Sequence, residues 1–158
     1  MSFLDLDERL AELSKKVQLV YSPIADMPLP EEADLALIEG AVSNEEQLDL
    51  LKKVRERVKV LVALGDCAVT GNATALRNTL DDSAKSVLNR AYIETASTNP
   101  QIPTDVPELL EQVCALHEIV KVDCYIPGCP PSPDLIDYAL AEILAGRTPR
   151  MEGKSKYG

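Results

Sequence analysis

Apolar side chains recur at helical spacing from the start of the chain, where Phe3, Leu6, Leu10, Leu13 and Val17 follow Ser2, a candidate N-cap. The opening SFLDLDERLAELSKK is therefore predicted to be an amphipathic helix. VQLVYSPI, residues 17 to 24, reads as a strand ended by the acidic, proline-bearing ADMPLPEE, and ADLALIEGAV, residues 33 to 42, reads as a second strand. Ser43-Asn44-Glu45-Glu46 has the form of a capping box, and Leu48, Leu51, Val54 and Val58 then line one face of the helix it would start.

KVLVALGDC, residues 59 to 67, is apolar without alternation, as expected of a strand buried on both faces of a parallel sheet. Residues 72 to 113 form a less regular section that is expected to carry short helices and to end near LLEQV. EIVKVDCYI, residues 118 to 126, predicts a further strand with Val120, Val122, Cys124 and Ile126 on one face. Ser132 as N-cap, Pro133 at the first helical position and Gly146 after the last turn bracket a closing helix over 133 to 145. Strands alternating with helices indicate an α/β three-layer sandwich around a mostly parallel sheet. The domain is expected to span 1–147, followed by a loose polar tail over 148–158. A doubly wound domain ordinarily opens on a strand, whereas the first element here is a helix, so a first strand is expected to be missing from this sequence.

Composition narrows the function. The 158 residues, 46% hydrophobic and 27% charged, suit one globular domain. A net charge of −10 and an isoelectric point near 4.6 argue against nucleic acid and anionic membranes as partners, since both are bound through basic patches. The apolar runs are strand-length, too short to span a bilayer, and residues 1–20 lack the basic start and apolar core of a secretion signal. A cytoplasmic location is expected, and with it reduced thiols.

That expectation matters for the cysteines, Cys67, Cys114, Cys124 and Cys129. Cys124 sits in an apolar run and reads as core filling. Cys129 follows Pro127-Gly128 and precedes Pro130-Pro131, a rigid turn that presents a side chain, and a cysteine followed by proline recurs among iron–sulfur ligands. In open parallel sheets ligands bind beyond the carboxyl ends of the strands. Cys67, Cys129 and Glu39 all fall at strand ends and are placed at that one rim. Gly71, in the loop after Cys67, would allow a sharp turn and a close backbone approach to an inorganic group. Two rim thiols without metal are the plain alternative, and spacing alone leaves both readings open.

GDCAVTGNATALRN, IPGCPPSPDLI, the opening MSFLDLDERL and IEGAVSNEE together resemble the small subunit of bidirectional, NAD-reducing nickel–iron hydrogenases, over almost the whole chain. More distantly the sequence is similar to other cytoplasmic hydrogenase small subunits and to the cluster-bearing twenty-kilodalton subunit of respiratory complex I, which shares a GCPP-type turn. The resemblance implies a flavodoxin-like domain with one 4Fe-4S cluster beside the nickel–iron centre of a large subunit, and Cys67 and Cys129 as two of its ligands. In the family the other two lie in a Cys-x-x-Cys loop after the first strand, just before a His-Met-Ser-Phe-Leu-Asp run. This sequence opens at Met1-Ser2-Phe3-Leu4-Asp5 and holds no Cys-x-x-Cys, so that pair is expected to be absent from it. Glu39 and Gly71 would then border the cluster without ligating it.

The implied partners are the large subunit and diaphorase subunits that bind NAD and FMN. The implied activity is that of a hydrogen:NAD oxidoreductase subunit lacking the catalytic centre, inactive in isolation. A cluster-free flavodoxin-like domain, with FMN at the same rim, is the alternative of a different class. Cys114 and Cys124 match no ligand position of the family, and both are expected to be buried. His117, beside a strand start, reads as a surface or hydrogen-bonded residue, Asp5, Asp7 and Glu8 as a solvated helix face, and Tyr125 as packing or interface.

Overall fold

The unbroken apolar run in the middle of the chain becomes the central strand. In the computed structural model, which describes residues 4–24, 27–155 and 157, this strand is β3, Val58–Leu64. Leu61, Val62 and Ala63 are fully buried, as a strand covered on both faces requires. Two parallel neighbours flank β3: β1, Ala33–Glu39, on one side and β5, Cys124–Ile126, on the other. The three end level, with Glu39 opposite Leu64 and Leu64 opposite Ile126.

Side chains alternate between the faces of this sheet. Leu61 and Ala63 point to a layer formed by α2, Glu45–Arg57, and α3, Asp66–Thr70, where Leu51, Ala68 and Val69 meet them. Val62, Cys124 and Ile126 point to α5, Pro133–Leu144, and pack on Leu135 and Ala139. On that second face lie also a 3-10 turn, Leu4–Leu6, and α1, Glu8–Ser14, with Leu6 buried against Ile136 and Leu140. Helices on both faces of a parallel sheet give the α/β three-layer sandwich of the flavodoxin type.

Several elements differ from the expectation. Residues 17–24 form no strand, because an extended run becomes one only where a neighbour takes up its N–H and C=O groups. Here Leu19 is 70% and Ile24 is 97% exposed. Ser2 and Phe3 lie outside the described residues, and the helix proper begins only at Glu8, after Asp7 turns the chain with φ +49°. The run 33–42 splits at Gly40, whose φ of +83° redirects the chain into β2, Val42–Asn44. That strand pairs antiparallel with β4, Leu109–Cys114, a strand not expected in the section read as short helices. Arg77 explains β4: its guanidinium donates to the carbonyls of Leu110 at 2.6 Å and Glu111 at 3.0 Å, while Asn78 exchanges two 2.8 Å bonds with the Val113 backbone. Both come from a 3-10 segment, Asn72–Thr79, which is followed by α4, Ser83–Asn89, and a π turn, Arg90–Glu94.

Two further elements are displaced by local hydrogen bonding. The cap of α2 is Asn44, whose side chain accepts the Gln47 N–H at 2.8 Å, while Gln47 Oε1 accepts the Ser43 N–H at 2.8 Å. The capping box expected of Ser43 and Glu46 is therefore replaced by Asn44 capping the Gln47 N–H, with the Gln47 side chain reaching back to Ser43. The strand expected over 118–126 shortens to β5, because Asp123 replaces ladder bonds with its own: it accepts the Leu61 N–H at 2.9 Å through Oδ2 and donates its N–H to the Leu61 carbonyl at 2.9 Å. Val120 and Val122 consequently pack with the α2 layer, on the face opposite Cys124 and Ile126. The closing helix matches its prediction, with Ser132 accepting the Leu135 N–H and Pro133 opening the first turn. The stretch beyond it touches the domain at three points. Pro149 is buried, the Arg150 N–H donates to the Tyr138 hydroxyl at 3.3 Å, and the Lys154 ammonium lies 4.8 Å from the Tyr138 ring centre.

These assignments fix two outcomes. Asn44→Ala should lower stability by about 1 kcal/mol in urea unfolding, whereas Ser43→Ala should stay within about 0.5 kcal/mol of the parent. Burial alone would raise the Asp123 carboxyl, yet the Leu61 N–H, Arg55 at 2.5 Å and Lys121 at 3.3 Å outweigh it and hold its pKa below the usual carboxylate value. A depressed carboxylate stabilises above its unfolded pKa and loses that contribution as pH falls through the folded one. Asp123→Ala should therefore cost about 2 kcal/mol at neutral pH, and the gap to the parent should close on acidification below about pH 4.

Candidate functional site

Beyond the level strand ends, the pairing of β3 with β5 continues into their loops. The Gly65 N–H donates to the Ile126 carbonyl at 2.8 Å, and the Asp66 N–H donates to the Gly128 carbonyl at 2.9 Å. The Gly128 N–H closes the set by donating to Asp66 Oδ1 at 2.5 Å. Asp66 is 3% exposed, so this bond lies away from water. Gly128 holds φ +139°, and a Cβ there would stand 2.6 Å from Pro131 Cα, so only glycine fits.

Each cysteine of the expected pair follows one partner of this clasp. Cys67, half-buried, comes after Asp66 in the first turn of α3, and Cys129, exposed, comes after Gly128. The two loops that carry them are thus bonded to each other immediately before the thiols. Glu39 ends β1 at the same rim with an exposed side chain. Gly71 closes α3 in the left-handed region at φ +79°, its N–H donating to the Cys67 carbonyl at 2.9 Å. A Cβ at Gly71 would lie 2.8 Å from Ala75 Cβ, so local packing already accounts for the glycine.

The remaining cysteines stand apart from this rim. Cys124 is core, 7% exposed, and burial pushes its thiol pKa up. Cys114, expected to be buried, is half-buried at the end of β4, where partial burial and then Glu118 raise its thiol against an opposing effect of Arg77. His117 is exposed, edge-on to Tyr125 at a ring separation of 6.1 Å. The residue that sequence reading missed is Asp66. Its one sequence signal is an acid between Gly65 and Cys67 in an otherwise apolar run; it becomes the buried first residue of α3.

A 4Fe-4S cluster is held by four thiolates. Among the described residues no group of three or more His, Cys, Asp or Glu side chains could hold a metal ion. Cys67 and Cys129 would supply at most two of the four thiolates, so these residues alone do not fit a complete cluster. A cavity of about 360 Å³ lies beside Ser132, Leu135, Tyr138 and Lys154, and one of about 480 Å³ beside Leu6 and Arg9; neither cysteine lines either of them.

Known proteins complete the comparison. The family model for the NADH ubiquinone oxidoreductase 20 Kd subunit matches residues 1–143. The chain is 38% identical to the delta subunit of the NAD-reducing hydrogenase HoxS of Cupriavidus necator, over 93% of this chain and 73% of that protein. It is 35% identical to a subunit of the F420-non-reducing hydrogenase vhu of Methanocaldococcus jannaschii, over 98% of this chain and 54% of that one. The chain thus spans about half the length of that archaeal relative and about three-quarters of the bacterial one. Among solved structures, a chain of an NAD+-reducing NiFe-hydrogenase crystallised in the H2-reduced state superimposes with a TM-score of 0.92 at 37% identity, covering 100% of this chain and 90% of that chain. With a family match over 143 of 158 residues and the same fold in a solved relative, the chain belongs to the NADH ubiquinone oxidoreductase 20 Kd subunit family.

Proposed function

We propose that the chain is the small subunit of a nickel–iron hydrogenase of the NAD-reducing type, and that its work is to present Cys67 and Cys129 as two ligands of a 4Fe-4S cluster. The observation that carries this reading is the clasped rim: two strand-end thiols on adjacent loops, at the carboxyl edge of a sheet whose fold is that of an NAD+-reducing hydrogenase chain. The other two ligands must come from outside residues 1–158, since Cys124 is core and Cys114 lies on the second sheet. Such a cluster would supply one-electron transfer between a nickel–iron large subunit and a diaphorase module with NAD and FMN. The residues of this chain contribute position, burial and hydrogen bonding.

Supporting features are consistent with a cytoplasmic complex. All four cysteines are free, and among the described residues no helix is long and apolar enough to cross a membrane. Identity does not separate the types, at 38% to the NAD-reducing delta subunit and 35% and 38% to the vhu hydrogenase subunits of Methanocaldococcus jannaschii and Methanococcus voltae. GDCAVTGN is the motif on which the preference for the NAD-reducing type rests.

Anaerobic purification of the complex from its native source, with iron, acid-labile sulfide and nickel analysis, tests the reading. A nickel-bearing partner should co-purify, and the reduced complex should give the paramagnetic signal of a 4Fe-4S centre. Cys67→Ser or Cys129→Ser should abolish that signal or remove about four irons, whereas Cys114→Ser should leave it intact. A complex without iron or nickel, or cluster content indifferent to Cys67 and Cys129, refutes the proposal.

A further inference from the structure

One buried charge has no part in that reading as it stands. Asp66 is 3% exposed and precedes Cys67 at the exit of β3. It grips both backbone groups of Gly128: its carboxylate accepts the Gly128 N–H at 2.5 Å, and its own N–H donates to the Gly128 carbonyl at 2.9 Å. Gly128 in turn precedes Cys129.

The loop that Asp66 holds is stiff. Prolines at 127, 130 and 131 leave Gly128 and Cys129 as the only backbone N–H donors from 127 to 131, and Pro131 Cα crowds the position a Cβ would take on Gly128. Stiffness sets the shape of the loop but not its place against α3. Two backbone bonds join the junction, from Gly65 to Ile126 and from Asp66 to Gly128. The carboxylate adds a third, charge-assisted bond and takes up the remaining backbone group of Gly128. Packing alone does not call for an acid here, because burying a carboxylate is costly and an uncharged side chain would fill the space.

We infer that Asp66 is a positioning residue for the thiol pair: through the Gly128 amide, its side chain sets where Cys129 stands relative to Cys67. This rests on the reading that the two thiols act together, and the test separates the two claims. The probe is Cd2+, a soft dication that thiolates bind, with the thiolate-to-metal absorbance as the readout. The full 158-residue chain is titrated anaerobically alongside Cys67→Ser, Cys129→Ser, Asp66→Ala and Asp66→Asn, each checked for folding by circular dichroism.

Either serine variant should lose the paired-thiolate absorbance. Asp66→Ala should bind Cd2+ about tenfold or more weakly while remaining folded. Asp66→Asn, whose amide oxygen can still accept the Gly128 N–H, should stay within about threefold of the parent. Loss in the serine variants with full affinity in Asp66→Ala overturns the positioning role and leaves the thiol pair standing. Unchanged Cd2+ binding in both serine variants overturns the pair and the positioning role together. An asparagine variant as weak as the alanine variant also overturns the inference, since charge and not the clasp would then govern the site. If Asp66→Ala does not fold, hydrogen exchange at the Gly128 amide decides: slow exchange in the parent and in Asp66→Asn is expected, and exchange as fast as that of an exposed loop amide in the parent overturns the inference.

Discussion

The fold hangs on β3, whose residues Leu61, Val62 and Ala63 are fully buried on both faces of the sheet. A stretch of three consecutive side chains hidden from water has no stable place except between two layers, so it fixes the sheet at the centre and the helices outside. Its pairing with β5 is short, three residue pairs from Val62 and Cys124 to Leu64 and Ile126. Two carboxylates lengthen it at opposite ends. Asp123, just before β5, takes the Leu61 N–H, and Asp66, just after β3, takes the Gly128 N–H. The acids differ in setting: Asp123 is neutralised by Arg55 and Lys121 near the surface, while Asp66 is buried beside the cysteines.

That arrangement explains why the candidate site lies where it does. Three strands end in register, and each hands over to a loop whose backbone is bent or locked: Gly40 and Gly65 at φ +83°, Gly128 at φ +139°. Regular pairing stops there, and side chains beyond it are released from the core. The rim is therefore the one edge of the sheet where a thiol can be held firmly yet kept out of the packing. The second sheet, β2 with β4, carries Cys114, which joins no group of three or more metal-ligating side chains among the described residues.

What could be read from the sequence was what local chemistry dictates. The apolar run of β3, the periodic face of α2 and the Ser132-Pro133 start of α5 are each written in neighbouring residues, and each formed. What could not be read depended on distant partners. Residues 17–24 have strand-forming side chains but no neighbour to pair with, and LLEQVC becomes a strand because Arg77 and Asn78, more than thirty residues away, hold its backbone. The cap shift from Ser43 to Asn44 turns on where β2 stops, itself set by the split at Gly40. At the site, the placement of Cys67 and Cys129 at strand ends was legible, whereas Asp66 was not, since a lone acid in a run of apolar residues gives no hint of the amide it will meet.

Cys124 and Cys129 show most directly how position decides what a thiol can do. They are five residues apart, yet the first is packed with Val62 and Leu135 and the second is exposed. Burial raises the Cys124 pKa, and its packing in the core leaves the thiol inert. Between them stand Ile126, the last residue of the regular ladder, and then Pro127 and Gly128, both still buried, with Gly128 tied to Asp66. The change from structural to presented thiol is thus made one residue beyond that tie, by position and not by the identity of the residue. Cys67 obeys the same rule on β3, one residue past an acid that ties its loop to the loop of Cys129. A pair of thiols so placed is a property of the β3–β5 junction as a whole, and neither cysteine alone carries it.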